Sequence, residues 1–217
     1  MEDTPEYTLI EYAYYKMALA AGIEMNDCRI YSNNGENHFM TKRFDRINGK
    51  KIHMQSLGAL AHISYKKPAL CSYEMAAQYM RELGLPAKEI EQFYRRMVFN
   101  CIAVNQDDHV KNISFLMNRT GEWHLSPAYD ITFSYNPTNK WLGAHQMTIN
   151  NKTNNINLTD LLKSGDIMGI KKKKCENIIA EVDAAVSNFE TFAENEKIRE
   201  KTYSTIQGVL QQNKINI

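Results

Sequence analysis

The sequence of 217 residues contains no apolar run that could cross a bilayer. Its longest, Met97–Val104, is broken by Asn100 and falls far short of the roughly 20 residues a spanning helix needs. The opening Met-Glu-Asp-Thr-Pro-Glu is acidic and has no apolar core, so it does not read as a secretory leader. Cysteine is sparse. Cys28, Cys71, Cys101 and Cys175 stand too far apart for a paired metal or redox motif, so reduced thiols and a cytoplasmic location are expected. Charge of one sign is lacking too: 26 Lys and Arg against 25 Asp and Glu give a net charge of +1 and no general attraction to nucleic acid or membrane. The one basic run, Lys171–Lys174, has no aromatic platform beside it and reads as a solvated helix face. Only 5 prolines and 10 glycines are present, and no linker, repeat or low-complexity segment divides the chain, so residues 1–217 are taken as one domain. The 43% hydrophobic content is enough for a real core.

The apolar pattern predicts an α+β, mostly helical fold. Thr4 as N-cap and Pro5 at the first helical position start a helix that runs to about Ala21, with Gly22 as its left-handed cap. Leu9, Ala13, Met17 and Ala20 mark its buried stripe. Cys28–Tyr31 and His38–Phe44 read as strands around a turn at Ser32–Gly35, and Ile47–Lys50 is a second turn. From about residue 54 the chain reads mostly helical. Ser72 caps a helix ending near Gly84, and Ile90, Phe93, Met97, Cys101 and Val104 line the strongest amphipathic helix. Ser114–Met117 and Trp123–Leu125 form a hairpin. Residues 134–157 read as an ordered loop with one strand near Gln146–Ile149, followed by helices at about 172–190 and 196–211.

Chemistry concentrates after the amphipathic helix, in Asn105-Gln106-Asp107-Asp108-His109-Val110-Lys111-Asn112. An acid followed five residues later by Asn is the spacing of a kinase catalytic loop, where Asp accepts a hydroxyl proton and Asn holds magnesium. Asn112 precedes the first strand of the hairpin and Ser126–Asp130 follows the second, so antiparallel pairing brings Tyr129-Asp130-Ile131 close to Asn112. Asp107 as base, with Asn112 and Asp130 as hard oxygen ligands, makes a coherent phosphoryl-transfer site. The bland alternative is an Asn- and Asp-rich turn; a hydrolase metal site at Asp107-Asp108-His109 is a further one, without a coordination sphere defined by spacing. His38, His53, His62, His124 and His145 have no mutual ligand spacing. Trp123 and Trp141 read as packing residues.

Three separated motifs resemble HipA-type serine/threonine kinases, the toxin kinases of bacterial toxin–antitoxin pairs. Asn105–Ser114 resembles their catalytic signature, Leu125–Ile131 their metal-binding segment, and Arg43-Phe44-Asp45-Arg46 their hinge strand. Glu11 with Met17–Ile23 resembles the helix that follows the family's nucleotide-binding strands. The resemblance implies the large, C-terminal lobe of a kinase-like domain that transfers the γ-phosphoryl group of ATP-Mg²⁺ to a serine or threonine of a protein. It implies Asp107 as proton acceptor, His109, Val110, Lys111 and Asn112 along the phosphates, and Asn112 and Asp130 on Mg²⁺, with Tyr129 beside them. Lys42, Arg43 and Phe44 would present backbone groups to adenine, although the family usually has an acid where Lys42 stands. An antitoxin is the implied partner, and DNA is reached only through it.

The family's Gly-rich loop and ATP-binding lysine have no counterpart before Glu11, and Lys16 lies on the helix itself. The sequence therefore leads to the expectation of a kinase portion that needs a missing or separate N-terminal segment and binds ATP-Mg²⁺ no better than millimolar by itself. A catalytically silent binding module, or a degenerate gene fragment, is the alternative.

Overall fold

A computed structural model describes residues 6–215. Thr4 and Pro5, expected to start the first helix, lie outside the described residues. Helix α1 (Tyr7–Ala20) is closed by Gly22 at φ +76°, with the Ile23 N–H donating to the Ala18 carbonyl. Its buried residues are Ile10, Ala13, Tyr14, Tyr15, Met17 and Ala18, whereas Leu9 is half-buried and Ala20 exposed, so the stripe is rotated from the expected one. Hairpin β1 (Cys28–Asn33) and β2 (Glu36–Thr41) turns at Asn34-Gly35, both with positive φ; β3 (Arg46–Ile47) and β4 (Lys50–Lys51) turn at Asn48-Gly49 in the same way.

Strand β5 (His53–Ser56) corrects the expectation that helix begins near residue 54. It pairs antiparallel with β6 (Ser114–Met117), which pairs with β7 (Trp123–Leu125). Its partner lies some 60 residues away, and non-local pairing of this kind overrides weak local preference. Short α2 (Leu57–Leu60) follows, its Ser56 side chain accepting the Ala59 N–H. Next come α3 (Tyr73–Glu82), capped by Ser72 as expected, and α4 (Ala87–Ile102). The predicted stripe of α4 is buried throughout, from Ile90 to Val104, with Tyr94 and Val98.

The expected strand at Gln146–Ile149 does not form; Thr148 makes one bridge to Ser72 and Ile149 one to Lys152, and the segment is held by its buried Met147 and Ile149. After α5 (Leu158–Ile167), the helix expected at about 172–190 divides into α6 (Lys172–Ser187) and α7 (Phe189–Asn195), with Asn188 as the break. Helix α8 (Glu200–Gln212) closes the fold. Helix α4 lies centrally between α3 and α6, while α1 packs on α6 and α7. Trp123 packs on the core, but Trp141 is exposed, with the Lys140 ammonium over its ring. Among the described residues, no helix is long and apolar enough to cross a membrane.

Candidate functional site

The loop that carries the acidic motif leaves α4 through a strained turn. The Asn105 N–H donates to the Asn100 carbonyl, and Val104 takes φ +52° at the position where such helix ends usually place glycine. A β-branched residue there is an outlier, and strain of this kind collects at functional sites. The loop is then fastened from both sides. Gln106 N–H donates to the Ser134 carbonyl, and the Gly58 and Leu57 N–H groups donate to the Val110 and Ile113 carbonyls. Gly58 is needed for this approach, because a Cβ there would lie 2.9 Å from a Val110 methyl.

Asp107 and Asp108 are neighbours in sequence with opposite surroundings. The Asp108 side chain is 1% exposed; its carboxylate accepts from Tyr73 Oη at 2.8 Å, His145 Nδ1 at 2.9 Å and Gln146 N–H at 2.7 Å. Burial alone would lower the His145 pKa, but the Asp108 charge and the nearby Cys101 thiol outweigh it and hold the ring well above its ordinary value. Both carboxylate oxygens of Asp108 are thus held by structural partners, although the residue also lines the small cavity beside Asn112, and His145 has the hydrogen-bonded role its sequence context suggests. The Asp107 side chain is 42% exposed, with His109 Nε2 at 3.8 Å. Burial, together with the charges of Asp130 and Asp108, raises its pKa, while His109 pulls the other way. A carboxylate that is reachable and more basic than usual suits a proton acceptor.

The β6–β7 hairpin brings the two halves of the site together. Ser126 N–H donates to the Ser114 carbonyl, closing the hairpin base. Ser114 Oγ–H donates to Tyr129 Oη, which itself donates to the Lys111 carbonyl, both at 2.6 Å. Beneath them Arg96 of α4 donates to the Ser126 carbonyl; burial lowers its pKa to about 10, so it stays charged. Asn112 Nδ2 donates to the Asp107 carbonyl at 3.0 Å, which fixes the amide and leaves its oxygen to accept. Asp130 holds φ +56°, a conformation Asp tolerates better than most residues. Asn112 and Asp130, 18 positions apart in sequence, line one cavity of about 30 Å³.

These donors fit a magnesium ion in one specific sense. Among the described residues no group of three His, Cys, Asp or Glu side chains could hold a metal. One carboxylate and one amide oxygen are instead what Mg²⁺ takes from a protein when phosphate oxygens and water fill its other positions. The cavity has room for about one water or ion and not for a nucleotide.

Glu11 of α1 belongs to this surface as well. A parallel bridge between Met25 and Ala128, with the Ala128 N–H donating to Glu24, ties the chain after α1 to the Asp130 segment. Burial and then the Asp130 charge raise the Glu11 pKa to about 7. Lys16 is not its counterion, since it pairs with Glu196, just after α7, at 2.5 Å.

The adenine-edge candidates are less regular than expected. Residues 43–45 form no strand; the Arg43 guanidinium grips Asp45 with two bonds of 2.7 and 2.6 Å, and Arg46 stands 3.9 Å from the same carboxylate. Lys42 N–H donates to the Asp27 carbonyl, and its own carbonyl accepts from Asn26. Phe44 packs on the Tyr129 ring at 5.5 Å, so it reaches the rest of the site. Lys111 turns away, its ammonium over Tyr65, whose ring also meets His109.

Asp107 is not in the wall of the small cavity but lines a larger one of about 550 Å³, between α1, residues 133–142 and α8. No signal in the sequence pointed to α8 as a neighbour of the acidic loop, because their approach depends on how α7 turns the chain.

Comparison with known proteins bears on the fold and the family. No curated protein matches the chain. Among solved structures, a chain from the complex of the Shewanella oneidensis MR-1 toxin–antitoxin system, HipA, HipB and its operator DNA, superimposes with a TM-score of 0.73 at 18% identity. The match covers 95% of this chain and 54% of that one, so the chain spans about half the length of that relative. At this identity the likeness is one of fold. The family described as HipA-like C-terminal domain matches residues 1–189, and the chain belongs to that family.

Proposed function

We propose that this chain provides the catalytic lobe of a HipA-type serine/threonine protein kinase, moving the γ-phosphoryl group from ATP-Mg²⁺ to a protein hydroxyl. The observation that carries the reading is the convergence of Asp107, Asn112 and Asp130 from two separate motifs. Asp107 accepts the proton of the attacking hydroxyl. Asn112 and Asp130 hold the magnesium ion, which neutralises phosphate charge when bound. His109, Val110, Lys111 and Asn112 run beside the phosphates, with Tyr129 fixing the Lys111 carbonyl. Arg43 and Phe44 meet the adenine edge, since the Lys42 backbone groups are already bonded within the chain. A segment other than these 217 residues covers the nucleotide from above, and an antitoxin is the regulatory partner, as the HipB-containing complex suggests.

The engaged Lys42 backbone and the small cavity at Asn112 favour a second reading, a binding module without catalysis. Two measurements separate them. Mn²⁺ should broaden NMR signals of both Asn112 and Asp130, and unaffected signals at saturating metal would sink the ligand pair. With the covering segment supplied, Asp107→Ala should lower transfer roughly 10²–10⁴-fold; a variant as active as wild type rejects the catalytic reading.

A further inference from the structure

Asp107 lines the large cavity and not the small one. The small cavity of Asn112 and Asp130 lies on the metal side, and neither of those residues lines the large one. The large cavity, about 550 Å³, is of the size that commonly takes ligands. Its wall is made by the start of α1, by residues 133–142 and by α8, which lies beyond the residues that the family matches. Among the described residues, Asp107 is the one acid in that wall. A hydroxyl must come within about 2.6–3.2 Å of its base to give up a proton. If the phosphates occupy the metal side, the attacking hydroxyl arrives from this one.

The lining tells what would carry that hydroxyl. Phe133, Tyr135 and Leu142 are half-buried and give an apolar bed. The Asn136 oxygen accepts from Thr138 and the Asn139 oxygen from the Trp141 and Leu142 N–H groups, which leaves both NH₂ groups to donate to a peptide backbone; Thr205 Oγ donates to the Lys201 carbonyl and can still accept. A nucleotide fits poorly, because its phosphates need a cluster of cations or N–H donors. Of the two cations here, Arg199 is neutralised by Glu6, with Nε and carboxylate oxygen 2.9 Å apart. Lys201 stands exposed on α8 with no ion-pair partner among the described residues. One unpaired cation at the edge and an apolar bed match a peptide with a bulky apolar residue and an acidic residue near its acceptor.

We infer that the cavity between α1, residues 133–142 and α8 is the acceptor groove, which seats a serine- or threonine-bearing protein segment with apolar and acidic flanks. The inference rests on the phosphoryl-transfer reading and adds the acceptor's entry route and its flanking chemistry.

The test is fluorescence anisotropy on the 217-residue chain with a short labelled peptide whose central threonine is flanked by leucine and aspartate. The peptide should bind and shift the amide signals of Phe133, Tyr135 and Thr202. Tyr135→Ala should weaken it roughly tenfold. Lys201→Glu, an exposed change that spares the core, should weaken it about twofold to fivefold. The same change should improve binding when lysine replaces the peptide's aspartate. ATP-Mg²⁺ should leave the peptide bound. Displacement by ATP with shifts at the same amides would make this a nucleotide cavity and overturn the inference. So would absence of binding at millimolar peptide, or shifts confined to β1 and β2. If the peptide binds as expected yet no covering segment yields Asp107-dependent transfer, the groove stands and the kinase reading falls. Transfer to a peptide that shifts none of these amides gives the reverse.

Discussion

The helical body around α4 and the hairpins of residues 28–51 are built on different terms. The body buries whole side chains, among them Tyr73, Phe93, Tyr94, Met97 and Phe99. It also buries a polar node, Asp108 with Tyr73, His145 and the Gln146 N–H, in which each carboxylate oxygen has a partner. The hairpins β1–β2 and β3–β4 have no fully buried residue; Tyr31, Met40 and Ile47 are exposed, and β3–β4 has only two paired positions. Two-stranded hairpins of this kind are marginal without something to pack on. The candidate site lies at the junction. The proposed base and metal ligands stand on the body and inherit its rigidity, and the residues proposed for the adenine edge stand on the weaker part.

That contrast can be broken by substitution. Asp108→Ala should have the largest effect, about 3–5 kcal/mol in urea unfolding, because it strands a buried imidazolium and two other donors. A loss under about 1 kcal/mol would show that the node does not hold the body together. At the junction, Glu11 should make stability fall as pH rises. Its pKa is about 7 in the fold against an ordinary 4.5, so the native state holds the extra proton between those values. Stability is therefore highest below pH 4.5 as far as this group is concerned and is lost through pH 7. Glu11→Gln should remove that part of the slope, seen as a rise in Tm at pH 8 with little change at pH 5. Equal pH profiles for the two proteins would place Glu11 in water. Bound Mg²⁺ beside Asp130 should flatten the wild-type slope by favouring ionised Glu11. In the hairpins the smallest effect is expected: Tyr31→Ser should change stability by no more than about 0.5 kcal/mol, and amides of β1 and β2 should exchange faster than those of α4. A larger cost would mean that the hairpin is packed as firmly as the body.

The same division explains what could be read from the sequence. The α4 stripe and the Asn-Gly turns were legible because their signals are local: helical spacing in one, tolerance of positive φ in the other. The meeting of Asn112 with Asp130 was legible because a hairpin's ends must meet. Strand β5 was not, since His53 and Met54 are exposed and its stability comes from pairing with β6. The break at Asn188 was hidden because apolar spacing runs on through Phe189, which stays buried in the next helix. The role of Asp108 was hidden for a different reason. Tyr73 and His145 approach it from 35 and 37 residues away, and nothing in a run of two aspartates tells which one turns inward.

The clasp between Glu6 and α8 bears on the order of assembly. Besides its ion pair with Arg199, Glu6 accepts from the Arg199 N–H at 2.7 Å and from Thr202 Oγ at 2.6 Å, across separations of 193 and 196 residues. Closing so long a loop costs more chain entropy than closing any hairpin here. Such contacts reward the chain only after the intervening body has drawn its ends together. The clasp thus closes late, and with it the third wall of the large cavity, so that a chain still folding has its acidic loop before it has its acceptor groove.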